Sequence, residues 1–149
     1  MPERYDDAEE ADVSVRAYYK PGHSDTPVIA STAEELDRVI DDLLKQPYEF
    51  SMANLYIAER ESENPVVELS IGVDPDRGVG GLQYLHGSDG RWFSKGRLST
   101  YDEVVYCYYG NGCTYPRDSE LPLDAIRAAA AQFLHTGGAR PDSVTWQPA

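Results

Sequence analysis

Histidine, cysteine and serine side chains are the groups of this sequence that could bind a metal or act as nucleophiles. Their spacing indicates whether they have such a role. His23 and His86 lie in predicted turns and His135 near the end of a predicted helix, and none has a second ligand at zinc-site spacing. Cys107 and Cys113 lack Cys-x-x-Cys spacing, and no serine occupies a nucleophile elbow. The sequence therefore predicts no catalytic residues, no metal and no cofactor.

Two further patterns invite a chemical interpretation and favour a structural one. Asp41 and Asp42 are paired carboxylates, but adjacent helix residues point about 100° apart, so a solvated helix face explains them better than acid–base catalysis. The run from Gly78 to Gly81 is rich in glycine, as phosphate-binding loops are. It lacks the helix and the lysine that follow such loops, so it predicts a bulged or thinly covered strand.

The composition restricts the class of partner. The 149 residues include 26 acidic and 13 basic side chains, which gives a net charge of −13. A chain this acidic is unsuited to neutralising phosphates, so we expect no nucleic-acid binding, whereas a basic partner is allowed. No apolar run is long enough to cross a bilayer and no signal peptide is visible, so we expect a cytoplasmic protein without a membrane partner.

The elements that must position any binding residues form one domain, expected to span residues 13–149. Residues 1–12 carry six carboxylates against one arginine and almost nothing apolar, so they predict a flexible acidic tail. Such a tail either keeps the protein soluble or touches a basic partner.

Two amphipathic helices are predicted. Thr32 and Glu35 form a capping-box pattern at the start of the first helix, which Pro47 limits. Pro122 suits the first position of the second helix, and Gly137 with Gly138 ends it. Apolar residues recur at intervals of three and four in both, so we expect one buried stripe on each. The residues expected to be buried are Leu36, Ile40, Leu43, Ile126, Phe133 and Leu134.

Short β-prone runs precede, separate and follow the helices, with turn signals between them. We expect Val66 to Val73 to be buried on one face only, because Glu68 and Ser70 alternate with apolar residues. Gly110 to Pro116 is expected to be a loop. The predicted fold is α+β, a mainly antiparallel sheet of about six to seven strands with both helices packed on one face. The β-prone runs from which this sheet is expected to form lie near residues 13–19, 27–30, 53–58, 66–73, 79–85, 91–94, 104–109 and 143–146.

An ordered pattern of short motifs resembles a known family. The pattern is Pro116 to Asp124 (PRDSELPLD), Phe133 to Gly138 (FLHTGG) and Val144 to Trp146 (VTW), with matching upstream segments such as Val28 to Leu44. Over about residues 14–147 the sequence resembles the first-numbered immunity protein family (Imm family one) of bacterial polymorphic toxin systems. That resemblance implies an immunity protein, not an enzyme, which binds and neutralises a cognate toxin domain.

The resemblance also implies the kind of toxin, because the family is commonly associated with nucleic-acid deaminases, including cytosine deaminases. A toxin that acts on DNA or RNA needs a basic surface, and an inhibitor with a charge of −13 would be steered to it. The implied mechanism is occlusion of the active site or the substrate groove by a protein that we expect to be monomeric.

Loops that combine acids with aromatic residues are the expected docking surface, because loops on a rigid sheet usually carry binding groups. For Tyr106 and Tyr108, which share one strand face, core packing and an interface role both remain open. The alternative function is a small ligand-binding or enzymatic domain with an aromatic pocket around Tyr84, Trp92 and Tyr106. The residues predicted to contact the toxin are Asp89, Trp92, Tyr109, Tyr115, Asp118 and Glu120.

Overall fold

The computed structural model describes residues 13–58 and 67–149. The predicted acidic tail and the loop predicted between the third and fourth strands lie outside these residues. Within them the chain forms ten strands, two α-helices and one short 3-10 helix. In chain order the elements are β1 (Val15–Tyr18), β2 (Val28–Ala30), α1 (Ala33–Leu43), the 3-10 helix (Tyr48–Phe50), β3 (Met52–Ile57), β4 (Val67–Asp74), β5 (Val79–His86), β6 (Gly90–Lys95), β7 (Val104–Tyr108), β8 (Asn111–Tyr115), β9 (Leu121–Pro122), α2 (Leu123–His135) and β10 (Thr145–Pro148).

One antiparallel sheet organises the molecule. Its strand order is β10-β6-β5-β4-β3-β1-β2, and β9 pairs with the start of β5. The terminal strand β10 closes the sheet at the β6 edge, where Trp146 pairs with Ser94. β7 and β8 form a separate two-stranded hairpin. The predicted α+β class with a mainly antiparallel sheet is confirmed.

Both helices pack on one face of the sheet, as their apolar stripes predicted. The Thr32 hydroxyl accepts a hydrogen bond from the Glu35 amide at 3.1 Å and so caps α1. The Glu35 carboxylate in turn accepts from the Ser31 amide, one residue earlier than in a standard capping box. Pro122 precedes the first helical residue of α2 rather than occupying it. All six helix residues expected to be buried are in the core: Leu36, Ile40, Leu43, Ile126, Phe133 and Leu134.

The other face of the sheet is covered by the β7–β8 hairpin, which corrects two predictions. Gly110 to Pro116 is not a loop, because Asn111–Tyr115 pairs with β7 through a tight turn. β4 is not buried on one face only, because Ser70 and Gly72 on its second face are also buried. Tyr106 packs against Gly72 where a side chain would collide with its ring.

A second, smaller core lies under this hairpin. Its buried members are Met52, Val104, Tyr106 and Tyr115, with partly buried hydrophobic residues around them. Cys107 is a buried free thiol, and its amide donates to the Ser51 hydroxyl at 3.0 Å. The hairpin is therefore held on the sheet by apolar packing and by hydrogen bonds.

Candidate functional site

The predicted contact residues Asp89 and Trp92 lie together beside the turn between β5 and β6. The Trp92 indole donates to the Asp89 carbonyl at 2.7 Å. Arg140 covers both, with its guanidinium 4.0 Å from the centre of the Trp92 ring and 3.7 Å from the Asp89 carboxylate. A partner that reached Trp92 here would therefore also meet a cation.

Asp118 lies on the surface between β6 and β10, and basic and amide groups hold it there. Lys95 donates to one carboxylate oxygen at 2.6 Å, and the Gln147 amide donates to the other at 3.0 Å. These hydrogen bonds, that of Lys95 first, hold the pKa of the Asp118 carboxyl below its usual value. Asp118 is partly exposed and therefore accessible to a partner, but its negative charge is paired with Lys95.

Glu120, which is predicted to contact the toxin, has a carboxylate that is bound within the protein. Its side chain is 2% exposed and forms two hydrogen bonds to the Arg77 guanidinium, at 2.6 and 2.8 Å. The Arg77 hydrogen bond lowers the pKa of the Glu120 carboxyl despite burial, which opposes it. The backbone contributes to the burial of Glu120, because residue 120 forms an antiparallel bridge with Arg97.

The two predicted tyrosines differ. Tyr115 is 2% exposed and packs on Gly81, so it belongs to the core under the hairpin and is not an exposed anchor. Tyr109 is partly exposed at the hairpin turn, with a positive φ of 49° that only the tight turn explains. Its hydroxyl donates to the Lys20 carbonyl at 2.9 Å.

These residues do not form one patch. Asp89 follows His86, which pairs with Val67 at the start of β4. Asp118 is bound to Lys95 and Tyr109 to Lys20, and the strand register places both at the opposite end of β4, near Asp74. The predicted contacts therefore divide between the two ends of the sheet.

The pocket expected around Tyr84, Trp92 and Tyr106 does not exist. Tyr84 pairs with Trp92, and both face the helices, where Tyr84 is 1% exposed. Tyr106 lies in the hairpin on the other side of the sheet. The sheet separates Tyr106 from the other two rings, so the three cannot line a common cavity.

A different concave site lies at the Asp74 end of the sheet. It is a cleft of about 480 Å³ between the 3-10 helix, the β4–β5 turn and the start of β7. The residues that define this acidic cleft are Tyr48, Asp74, Asp76, Tyr101, Glu103 and Tyr106. Glu120 lines it as well, beneath Arg77.

Exposed aromatic rings flank the acidic cleft. Tyr48 is 59% exposed and Tyr101 47% exposed, although both rings are large and apolar. The Tyr48 hydroxyl is fixed by donating to the Val105 carbonyl at 2.7 Å. The Arg77 guanidinium lies 4.6 Å from the centre of the Tyr101 ring. Rigid tyrosines with one polar end are typical of the residues that dominate binding energy at protein interfaces.

The charge of the acidic cleft is negative. Arg77 is bound to Glu120 and lies 3.5 Å from Asp74, so it neutralises part of that charge. Asp76 and Glu103 are exposed, and neither forms an ion pair with another described residue. A concave surface with an excess of carboxylates attracts cations.

Tyr106 closes the cleft from below. Its hydroxyl is buried and has no hydrogen-bond partner among the described residues. Burial raises the pKa of this phenol, and the nearby charges of Glu120 and Asp74 raise it further. Of the two roles that the sequence left open for Tyr106, core packing is present in the structure. Tyr106 also lines the cleft.

Sequence reasoning missed Tyr48 and Tyr101 as candidates. The available signal was a tyrosine directly followed by acids, as in Tyr48-Glu49 and Tyr101-Asp102-Glu103. That the two segments meet at the Asp74 turn could not be deduced without the position of the hairpin.

The arrangement is suited to non-covalent binding. Within residues 13–58 and 67–149, no three His, Cys, Asp or Glu side chains come together as a metal site. No helix of these residues is long and apolar enough to cross a membrane. The acidic cleft offers carboxylates, phenol rings and one unused phenol oxygen, which together can hold a cationic group.

Fold and geometry define an α+β domain with an acidic cleft flanked by tyrosines. The family model described as Immunity protein Imm1 matches residues 24–148, which is most of the chain. The chain belongs to the Imm1 immunity protein family, so the resemblance seen in its sequence is confirmed. Comparison with curated proteins gives no match.

Proposed function

We propose that this protein binds a cognate toxin and neutralises it by stoichiometric contact rather than by catalysis. The observation that carries the proposal is the Imm1 family match over residues 24–148. We further propose that the toxin is a polymorphic toxin domain that acts on nucleic acid, with a cytosine deaminase as the first candidate. The protein would act in the cytoplasm as a monomer, before the toxin reaches a substrate.

Charge supports this choice of toxin. A domain that binds DNA or RNA must offer lysine and arginine side chains to phosphates. A protein with a net charge of −13 associates with such a surface faster than a neutral protein does, because opposite fields steer the encounter. The same contact covers the groove that the nucleic acid would use, so binding and inhibition coincide.

Two separate groups of residues remain predicted contacts. Asp89 and Trp92 form one group beside Arg140, and Tyr109 and Asp118 belong to the Asp74 end of the sheet. All four are at least partly exposed and are held by neighbouring side chains or backbone. Fixed positions favour binding, because little side-chain entropy is lost on contact.

Co-expression with a candidate cognate toxin domain tests the proposal. We expect the protein to protect cells, to co-purify with the toxin domain as an equimolar complex, and to inhibit it in proportion to the amount added. If trace amounts inactivated an excess of toxin and left it chemically altered, the protein would be an enzyme and the proposal would be wrong.

A further inference from the structure

We propose that the acidic cleft is the receptor for one arginine side chain of the toxin. The identity of the partner rests on the function proposed above, whereas the chemistry of the cleft rests on its own residues. Three features of the cleft support this occupant: a hydroxyl and two carboxylates that have no partner among residues 13–58 and 67–149, and a neighbouring arginine that is already bound by a carboxylate and a ring.

The first feature is the Tyr106 hydroxyl. It is buried and lacks a hydrogen-bond partner among the described residues, and Tyr106 is one of the residues that line the cleft. Buried polar groups in folded proteins nearly always have a partner, so an unsatisfied one needs an explanation. A donor that enters the cleft from a second molecule would satisfy this oxygen.

The second feature is Arg77, which shows how the surroundings of the cleft hold a guanidinium. Its two terminal nitrogens donate to the two Glu120 oxygens, and its guanidinium carbon lies over the Tyr101 ring, 4.6 Å from the ring centre. Stacking on a ring combined with forked hydrogen bonds to a carboxylate is what distinguishes arginine from lysine. The exposed Tyr48 ring and the free carboxylates offer a second guanidinium the same types of contact.

The third feature is the pair Asp76 and Glu103. Both carboxylates are exposed, line the cleft and have no ion-pair partner among the described residues. Arg77 is bound to Glu120 and Asp74 and leaves these two charges uncompensated. A cation that entered the cleft would therefore be attracted without first displacing Arg77.

The exposed rings indicate that the arginine belongs to a macromolecule. Tyr48 and Tyr101 are two of the four large apolar side chains exposed in the described part of the chain. A free small cation would leave them in water, whereas the surface around a docked arginine would cover them. Arginine and tyrosine are also the residues that most often dominate the energy of interfaces.

A small probe tests the chemistry of the cleft without the toxin. N-acetyl-arginine amide is titrated into the whole protein while backbone amide shifts are followed by NMR. We expect saturable shifts at Asp76, Glu103 and Val105, and weaker binding of N-acetyl-lysine amide. Shifts confined to other surfaces, or equal binding of the two probes, would overturn the assignment.

Charge-neutral variants give the control. Asp76→Asn with Glu103→Gln should raise the Kd of the arginine probe about fivefold, because two rim charges are lost. Glu34→Gln with Asp142→Asn removes the same charge from exposed positions outside the cleft. That pair should change the Kd less than twofold. Equal effects of the two double variants would mean that only net charge matters and would contradict a site.

The hydroxyl is tested by a matched pair on the hairpin. Tyr106→Phe should weaken probe binding about tenfold, because a charged donor loses its acceptor, while the free protein keeps its stability. Tyr115→Phe removes another buried, unpartnered hydroxyl of the same hairpin, but one that does not line the cleft. It should leave the Kd unchanged.

The toxin complex then separates this inference from the proposed function. If the unaltered protein binds the toxin but Asp76→Asn with Glu103→Gln binds it equally well, the cleft is not the docking point and the immunity function stands. If the unaltered protein forms no toxin complex while the arginine probe still binds, the cleft is a cation site and the proposed partner is wrong.

Discussion

The ring of Tyr106 lies directly on the α-carbon of Gly72, so close that a Cβ at residue 72 would be 2.3 Å from its ring carbons. Gly81 stands in the same relation to Tyr115, at 2.8 Å. Two glycines in neighbouring strands thus let the β7–β8 hairpin approach the sheet closely. Tyr106 belongs both to this contact and to the lining of the acidic cleft.

Gly72→Ala should therefore displace the hairpin. We expect a loss of about 1–3 kcal/mol in the free energy of unfolding, as overpacked cores show, measured by urea denaturation. Adding Tyr106→Ala removes the ring that the methyl group would strike. The double variant should lose less stability than the sum of the single losses, and strict additivity would contradict the packing described here.

Phe133→Ala tests the helix face of the sheet. Phe133 is fully buried and packs edge-on against Tyr84, with 6.4 Å between ring centres. Its truncation should cost about 3–5 kcal/mol of unfolding free energy. Leu98→Ala is the control, because Leu98 is exposed and should change stability by less than about 0.5 kcal/mol. Similar losses for both variants would refute the assigned burial.

The helices were predictable from sequence because their signals are local. Thr32 with Glu35 marks the start of α1, and Gly137 marks the end of α2, where it has a φ of 69°. The apolar stripes then fix which side of each helix faces the sheet, and Phe133 falls on it. Such patterns need only a dozen residues of context.

The hairpin and the acidic cleft were not predictable, because they depend on distant pairs. Asn111 to Tyr115 begins with the turn residues Asn111 and Gly112, directly after Gly110, so it indicates a loop unless its pairing with β7 is known. That Gly72 lies under Tyr106 is a contact across 34 positions that no periodicity encodes. Without the β7–β8 pairing, the burial of Tyr115 and the proximity of Tyr101 to Asp74 cannot be deduced from the sequence.

His23 gives a prediction for pH. Its Nδ1 accepts from the Tyr19 and Lys20 amides at 3.2 and 3.3 Å, so the folded protein favours the neutral ring. Burial lowers the pKa of His23, and the Lys20 charge lowers it further, while Asp42 opposes them. A histidine whose folded pKa is depressed stabilises the fold above its unfolded pKa of about 6.5, and that stability is lost as pH falls.

The measurement is urea denaturation of the unaltered protein and of His23→Asn between about pH 8 and pH 5. The unaltered protein should lose stability over this range, and the variant should lose less, whatever its stability at pH 8. His86 and His135 are exposed or partly exposed and remain in both proteins, so they cancel in the comparison. Identical slopes would show that His23 is not the titrating group.

The last prediction decides between the two ends of the sheet as the docking surface. If the toxin docks at the Asp74 end, Tyr109→Ala should speed dissociation, and Asp118→Lys should slow association and reduce its salt dependence. Trp92→Ala should then have little effect, because Trp92 lies at the other end beside Arg140. The reverse ranking would place the toxin at the Asp89 end.

The control for this experiment is a reversal on the helix face, Glu34→Lys, at an exposed position in the first turn of α1. Asp42 is unsuitable as a control, because it binds Lys20 at 2.8 Å and the Tyr19 hydroxyl at 2.6 Å. Glu120 is unsuitable as a test for a similar reason, since its reversal would break the buried pair with Arg77.

Association rates of the toxin domain, measured at low and high salt, give the comparison. If Glu34→Lys slowed association more than Asp118→Lys did, the toxin would dock on the helices, and both ends of the sheet would be excluded.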